Sequence, residues 1–549
     1  MITNFSQPTI FRILTLLVSV FLNLPAQAGE NFPQPTELDR DVGFWLRVYT
    51  EVDTHSGFIH DAYNLSVVYQ TLTLTGQRRA DKKLIRAAKS RYADILKALA
   101  SDRTGSNAEQ QRVLALFPAG TTAAQLRSAA NNLRFQRGQS DRFREGLARS
   151  TQWTGYIKEV LAQRNLPPEL AALPHVESSF NPEAYSNVGA AGIWQFTRST
   201  GRRYMHIDYV VDERMDPFSA TVAAAQLLEH NRQLTGSWPL ALTAYNHGAA
   251  GIRRATRQMK TTDIDQIVRK YKGRAFGFAS RNFYVSFLAA AKVSTQPERY
   301  FAPYNSAAAV QYERIALSEY LPADAIASAF NIDLAALKKH NRALLEPVWM
   351  GKKYIPKGYT LLVPGSKVNG SLENLLASIP ADQRFDEQTP DLFHKVVPGD
   401  TVSEIASRYG HSVREVVAMN GLNRRFHIRI GQVLRLPIEG AIATAAVNTT
   451  APPAAFQTSV GELPDESVTT IKVALTPLRE MQEESSTEVS DSLITDEMSA
   501  DPGDYTVADD NSIEIQAVET LGHYAEWLDL RASQLRSLNG MRYGRALVI

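Results

Sequence analysis

Glu177 is the residue whose surroundings most change what a side chain of this sequence can do. Pro167-Pro168 fits the opening turn of a helix, Leu170, Leu173 and Val176 give that helix an apolar face, and Asn181-Pro182 ends it. Glu177 therefore falls in the last helical turn, beside apolar neighbours and at the negative end of the helix dipole. Both features disfavour the charged carboxylate. A carboxyl that stays protonated near neutral pH can give its proton to a leaving oxygen, as general-acid cleavage of a glycoside requires. Taken alone, a helix-terminal glutamate is more often a solvated or hydrogen-bonded residue.

Two further segments bear on it. Ser186-Asn187-Val188-Gly189-Ala190-Ala191-Gly192-Ile193-Trp194-Gln195-Phe196 combines glycines and alanines, which let a ligand approach the backbone, with the flat surfaces of Trp194 and Phe196 and the amide of Gln195. Ala244-Tyr245-Asn246-His247-Gly248 adds a phenol and a second amide. Each piece is weak by itself, because glycine-rich turns are mostly turns and aromatics mostly core. A retaining glycosidase with an enzyme nucleophile needs a second carboxylate about 5 Å from the first. Glu183, Asp208, Asp212, Glu213 and Asp216 sit in turn-like or helix-start contexts, so a mechanism with one carboxyl fits better. No His-Glu-x-x-His occurs, the 11 histidines are scattered, and there is no cysteine. Disulfides, thiolate nucleophiles and Cys-ligated metals are thereby excluded, and neither a metal nor a cofactor is expected.

The elements that must position these residues belong to a chain of 549 residues, long enough for three or more domains. Arg12, the apolar run 13–24 and Pro25-Ala26-Gln27-Ala28 read as a cleavable signal peptide over 1–28, too short to span a bilayer. Residues 29–150 read as helical, with Phe44, Trp45, Val48 and Tyr49 at helical spacing, and 151–310 as a second helical unit that carries the three segments above. An internal repeat follows. Ile405-Ala406-Ser407-Arg408-Tyr409 matches Ile326-Ala327-Ser328-Ala329-Phe330, Asn420 matches Asn341, and Gly431, Leu434, Leu436 and Pro437 match Gly358, Leu361, Val363 and Pro364. The copies occupy 311–365 and 393–438, joined by a linker at 366–392, and a weaker third copy lies at 505–549. The second reads as strand–helix–helix–strand, with capping boxes at Thr401–Glu404 and Ser412–Glu415. Residues 439–504 read as a disordered acidic linker. Over 461–520 there are 16 acidic and 2 basic residues, a net of −14, so the remainder of the +2 chain carries +16. A basic body suits an anionic polymer, either nucleic acid or cell wall.

Taken together and in this order, Glu177-Ser178, Gly192-Ile193-Trp194-Gln195 and Ala244-Tyr245-Asn246-His247-Gly248 resemble the motifs of the goose-lysozyme-like domain of soluble lytic transglycosylases. Trp194 stands where that family has Met. Arg281-Asn282-Phe283-Tyr284-Val285 resembles its late tyrosine motif, and Ser186 falls where it places a serine near the substrate's N-acetyl group. His394-Lys395-Val396-Val397-Pro398-Gly399-Asp400-Thr401 resembles the opening of the LysM module and Gly431-Gln432-Val433-Leu434 its close. The layout is similar to the membrane-bound lytic murein transglycosylase D group, which is typically lipid-anchored through a cysteine that is absent here. The resemblance implies a mainly α chain: a lysozyme-like helical catalytic domain with small α+β (βααβ) LysM modules. It implies a peptidoglycan lytic transglycosylase in which Glu177 is the acid and base, with Ser178, Ser186, Gly192, Trp194, Gln195, Tyr245, Asn246 and Tyr284 around the substrate. Gly399, Asp400, Thr401, Asn420 and Ile428 would line the glycan groove of the middle module, although helix capping explains Asp400 and Thr401 at least as well. The implied partner is peptidoglycan glycan in the periplasm, with peripheral outer-membrane or cell-wall association and no nucleic acid, which an exported chain rarely meets. A lysozyme-type hydrolase and a non-catalytic wall-binding protein are the alternatives.

Overall fold

A computed structural model describes residues 31–186, 189–273, 275–301, 309–368, 370–397, 399–422 and 426–437, with short pieces at 470–472, 512–514, 534 and 536–537. The expected signal peptide lies outside the described residues, as does nearly all of the acidic linker and of the third repeat. One stretch of that linker forms a strand: Thr470–Lys472 pairs antiparallel with Ser512–Glu514. The described chain is mainly α with small antiparallel sheets. None of its helices is long and apolar enough to cross a membrane.

The largest core takes in residues from Phe32 to Phe301, together with Leu362, and does not stop at residue 150. Phe44, Trp45, Val48 and Tyr49 of helix Asp39–Thr50, at the helical spacing read from the sequence, are buried in it with Phe143 and Leu147. Helices Pro217–Thr235, Trp238–His247 and Phe278–Thr295 supply its centre. Helix Pro217–Thr235 has a defined start and stop. Asp216 accepts the backbone N–H groups of Phe218 (3.1 Å) and Ser219 (3.2 Å), Pro217 takes the first turn, and Gly236 ends it in a left-handed conformation.

Residues 29–150 are not wholly helical, contrary to the sequence reading. Strands Ser56–Asp61, Val68–Thr73 and Leu133–Arg137 form an antiparallel sheet with Ser56–Asp61 in the centre, covered by helix Arg78–Ser101. The central strand is buried on both faces: Phe58 enters the large core, whereas Ile59 joins Tyr69, Leu96 and Phe135 in a second one. Such a short strand shows little alternation, and of its two partners one is local (Ile59 pairs Gln70) while the other lies some 75 residues on (Ile59 pairs Phe135), so local periodicity misses the sheet. Gly57 is required there, because a Cβ would sit 2.4 Å from the Gln136 carbonyl oxygen.

Each described repeat is closed by one antiparallel pair around its helices. In the first copy, strand Tyr312–Ala316 pairs with Thr360–Pro364 around helices Ala323–Ala329 and Leu334–His340, with a further short helix Glu346–Trp349 before the returning strand. In the second, Asp391–Lys395 pairs with Val433–Pro437 around Val402–Arg408 and Val413–Asn420. Both expected capping boxes close there: Thr401 and Glu404, and Ser412 and Glu415, exchange side-chain and backbone bonds. Residues 366–392, expected as a linker, are packed instead. Leu372 and Ile379 are buried in the core of the first copy, helix Leu372–Ala377 is capped by Ser371, and Phe385 stacks on Tyr354 at 4.3 Å. The apolar residues there are too few for a periodic signal, but enough to cover a neighbouring module.

Candidate active site and wall-binding module

Glu177 ends the short helix Leu173–Glu177, as the sequence indicated. Both carboxylate oxygens are shut from solvent and have no hydrogen-bond partner among the described residues. Burial alone raises its pKa to about 8, so the carboxyl is mostly protonated at neutral pH. The chain leaves the helix through two successive non-glycine residues in the left-handed region, Ser179 (φ 51°) and Phe180 (φ 55°). Such a turn is unfavourable by about 1–3 kcal/mol per residue and persists only where its surroundings fix it. Phe180 is fully buried, and Arg149 Nε donates to the Ser179 carbonyl at 3.0 Å. Neighbouring His175 lies between the rings of Phe143 and Phe180, both 4.6 Å away, and burial pushes its pKa down to about 3. It is a neutral packing residue.

Ser178 Oγ donates to the Ile193 carbonyl at 2.8 Å and so ties the Glu177 turn to the glycine-rich segment. Ser186 closes a tight loop in that segment, its Oγ accepting from the Ala190 N–H at 2.8 Å. Gly192 (φ +75°) lies on the Arg214 carbonyl, where any Cβ would be 1.9 Å from the oxygen. Gln195 directs its amide N–H groups to the carbonyls of Gly192 (2.8 Å) and Ala184 (3.3 Å). Tyr245 Oη donates to the Trp194 carbonyl at 2.8 Å, and its pKa is raised by burial first and by the Glu177 charge second. Asn246 Nδ2 is buried and has no partner among the described residues. Gln195, Tyr245 and Asn246 line a cavity of about 220 Å³ walled also by Leu227, Leu234 and Arg253.

Two expected substrate contacts are corrected. Trp194 is 1% exposed and donates its indole N–H to Thr221 Oγ1 at 3.0 Å, because the left-handed residues at 192 and 195 turn the ring into the core; Phe196 is buried likewise. Tyr284 is fully buried, and its hydroxyl donates to the Pro33 carbonyl at 2.7 Å. It fastens the N-terminal segment and does not face a ligand.

Two residues here had no signal in the sequence. Arg214, 1% exposed, forms a two-pronged bond with Asp212 (2.9 and 2.7 Å) and donates to the carbonyls of Gly189 (2.7 Å) and Phe196 (2.9 Å). One buried cation thereby holds both ends of the glycine-rich segment. Tyr49, outside the motif region, is buried near Ser286, and its pKa is raised by burial first and by the Glu177 charge last. The five weighed carboxylates are engaged elsewhere. Asp212 pairs with Arg214 and Asp216 caps its helix, Asp208 accepts from Val210 and Val211, Glu213 from His206, and Glu183 pairs with Arg342. Among the described residues no cluster of three His, Cys, Asp or Glu side chains is placed to hold a metal.

In the second repeat the selected residues are mainly internal. Gly399 supplies a turn at φ +94°. Asp400 accepts from the Val397 N–H (2.8 Å), the largest cause holding its pKa low, and lies 2.7 Å from His394 Nε2. Thr401 is the helix cap. Asn420 donates to the Val416 and Arg435 carbonyls and accepts from the Arg435 N–H, each at 2.8 Å. Its amide is a staple between helix and strand, which removes it from the expected glycan contacts, since both donors are taken. Ile428 is half-buried against the module core. Exposed apolar side chains of this repeat are Leu392, Phe393, Val397, Phe426, Ile430 and Val433; of these Val397 (49%) and Ile430 (70%) sit on loops joined where Gly431 N–H donates to the Val396 carbonyl at 2.7 Å.

Residues 155–268 match the family described as Transglycosylase SLT domain, and residues 394–437 match the LysM domain. The chain carries an SLT domain and a LysM domain. The SLT match takes in Glu177, the glycine-rich segment and Tyr245-Asn246, but neither Tyr49 nor helix Phe278–Thr295; the LysM match is the second repeat. The chain is similar to "Membrane-bound lytic murein transglycosylase D" of Escherichia coli (strain K12), 28% identical over 304 residues, covering 52% of this chain and 64% of that relative. It is also similar to "Putative tributyltin chloride resistance protein" of Alteromonas sp. (strain M-1), 34% identical over 135 residues, 22% of this chain and 65% of that one. A third relative is "Transglycosylase" of Enterobacteria phage PRD1, 35% identical over 127 residues, 23% of this chain and 45% of that one. The chain thus spans just under two thirds of the length of the first relative.

Proposed function

We propose that this chain is a cell-wall-associated peptidoglycan lytic transglycosylase. It cleaves the β-1,4 bond between N-acetylmuramic acid and N-acetylglucosamine and leaves a 1,6-anhydromuramyl end. The observation that carries the reading is the Glu177 carboxyl, buried, unpaired and protonated near neutral pH. The SLT and LysM domains and the relatives' names supply the substrate class.

In this mechanism Glu177 gives its proton to the glycosidic oxygen as the bond from C1 breaks. The muramyl 6-hydroxyl then attacks C1, and the Glu177 carboxylate takes the hydroxyl proton, which restores the acid. One carboxyl serves both steps because its raised pKa keeps it protonated, and so available as the acid, near neutral pH, and makes its carboxylate a stronger base than an ordinary one. An intramolecular nucleophile carries a large effective concentration, so neither water nor a second carboxylate is needed. Ser186 and the Asn246 amide are the groups assigned to the substrate's polar atoms, and Gln195 shapes the loop beside them. The exposed apolar edge at Val397 and Ile430 is the glycan-holding surface of the second repeat.

Mass spectrometry of muropeptides released from purified peptidoglycan, by the parent and by Glu177→Gln, tests this. Anhydro ends from the parent and none from the variant are expected. Reducing ends lost in the variant would make the chain a lysozyme-type hydrolase. No release by either, with retention on the sacculus, would leave a wall-binding protein.

A further inference from the structure

Asn246 is 5% exposed, and its side chain is held from one side. Ser280 Oγ, on helix Phe278–Thr295, donates to Asn246 Oδ1 at 3.2 Å and lies 3.0 Å from His247 Nδ1. A serine hydroxyl has a single proton to give. When that proton goes to Asn246, the other bond must run from His247 Nδ1–H to Ser280. Burial keeps His247 neutral, with a pKa of about 4, so the imidazole carries one N–H and its tautomer sets the direction of the whole chain. The ring itself is pinned. Phe276 meets it edge to face at 5.0 Å, and residue 251 has to be glycine, since a Cβ there would fall 2.7 Å from His247 Nε2.

Two arrangements satisfy every proton. In one, His247 donates to Ser280 and Ser280 to Asn246 Oδ1, which leaves the Asn246 NH₂ group turned away from the relay. In the other, the Nε2–H tautomer leaves Nδ1 as an acceptor, Ser280 donates to it, Asn246 donates to Ser280, and a carbonyl oxygen is presented instead. In the first, Nδ2 is a buried donor with no partner among the described residues, on a residue that lines the 220 Å³ cavity. An orphaned buried N–H is unfavourable unless a ligand accepts from it.

We propose that His247 and Ser280 are positioning residues that fix the Asn246 amide with its NH₂ group towards the cavity, where it donates to an oxygen of the amino-sugar glycan. This rests on the reading of the site as glycan-binding. Neither Ser280 nor His247 touches the substrate; they act through Asn246, and Ser280 lies beyond the matched SLT region.

The test uses the full chain and has two readouts. The first is steady-state release of anhydro ends from uncross-linked glycan strands by the parent, Ser280→Ala and Ser280→Thr. Losing the amide's orientation removes a contact made equally in ground and transition states, so Ser280→Ala raises KM by about five- to tenfold with kcat within about twofold. Ser280→Thr, which keeps the hydroxyl, restores the parent KM. The second is the ¹⁵N NMR signature of selectively labelled histidine, assigned by loss of the signal in His247→Gln, which reports an Nδ1–H tautomer. An unchanged KM in Ser280→Ala, a collapse of kcat not rescued by Thr, or an Nε2–H tautomer overturns the relay. If the parent releases no anhydro ends, the glycan-cleaving reading fails, and the tautomer still decides the relay.

Discussion

The two described repeats share a fold and differ in what lies between their loops. In both, one asparagine staples the second helix to the returning strand: Asn341 bonds the backbone of Leu337 and Leu362, and Asn420 that of Val416 and Arg435. In the second copy the loops before the first helix and after the second carry exposed Val397 and Ile430. In the first copy the corresponding loops hold the chain's own residues. Tyr320 and Phe385 exchange backbone bonds (2.9 and 3.1 Å), Tyr354 bonds Gln388, and Thr389 bonds the Lys352 carbonyl at 2.8 Å. The same copy is joined to the SLT domain. Val210 and Val211 lie in its core, and Asp212 N–H donates to the Ala343 carbonyl at 2.7 Å. A repeat can thus keep its fold while its surface changes from an open edge to a joint. The residues that define a repeat are those that fold it, whereas surface residues decide what it does.

The largest expected effect breaks the link between the copies. Lys353 of the first is 1% exposed and pairs with Asp391 of the second at 2.6 Å, and Tyr209 of the SLT domain also donates to Asp391 at 2.6 Å. Asp391→Ala leaves a buried ammonium without its counter-charge and lowers stability by about 3–5 kcal/mol in urea unfolding. A loss under about 1 kcal/mol would mean that the copies are not joined this way. The staples come next. Asn341 is fully buried, so Asn341→Ala strands the Leu362 N–H and costs about 2–3 kcal/mol, loosening the Val210–Val211 contact in hydrogen exchange. Half-buried Asn420→Ala costs about 1 kcal/mol and loosens only the second copy. Equal costs would erase the distinction. The smallest effect sharpens it. Val397→Asp with Ile430→Asp lowers sacculus retention about tenfold, roughly 1.4 kcal/mol, with unchanged thermal unfolding. Charge placed at Ser318, the counterpart of Val397, leaves retention unchanged.

Much of this was legible in the sequence. The Glu177 helix, both capping boxes and the βααβ order rest on local rules of periodicity and caps, and the structure follows them. The Asn341–Asn420 match located the repeat but not the staple's role, since spacing does not say what an amide bonds. The pairing of Ser56–Asp61 with Leu133–Arg137, Arg214 beneath the glycine-rich segment and the electrostatic link of Tyr49 to Glu177 depend on interactions between distant residues. The inward turn of Trp194 follows from left-handed backbone at a non-glycine residue, Gln195 (φ 49°), which no propensity indicates. Tyr284 was assigned by motif position, and its hydroxyl is taken by a carbonyl about 250 residues away in sequence.

Burial keeps Glu177 protonated at neutral pH. The direct test is the pH dependence of kcat/KM for release of anhydro ends, which reports the essential acid of the free enzyme. With a pKa of about 8, kcat/KM holds through neutrality and falls tenfold per unit above about pH 8. The same group adds a stability signature. A carboxyl raised from its unfolded value of about 4.3 stabilises the fold fully below that pH, and the contribution is lost as pH rises towards 8, so Glu177→Gln becomes more stable than the parent across that window. A kcat/KM that instead declines from pH 5, with an apparent pKa near that of an ordinary glutamate, would contradict the account.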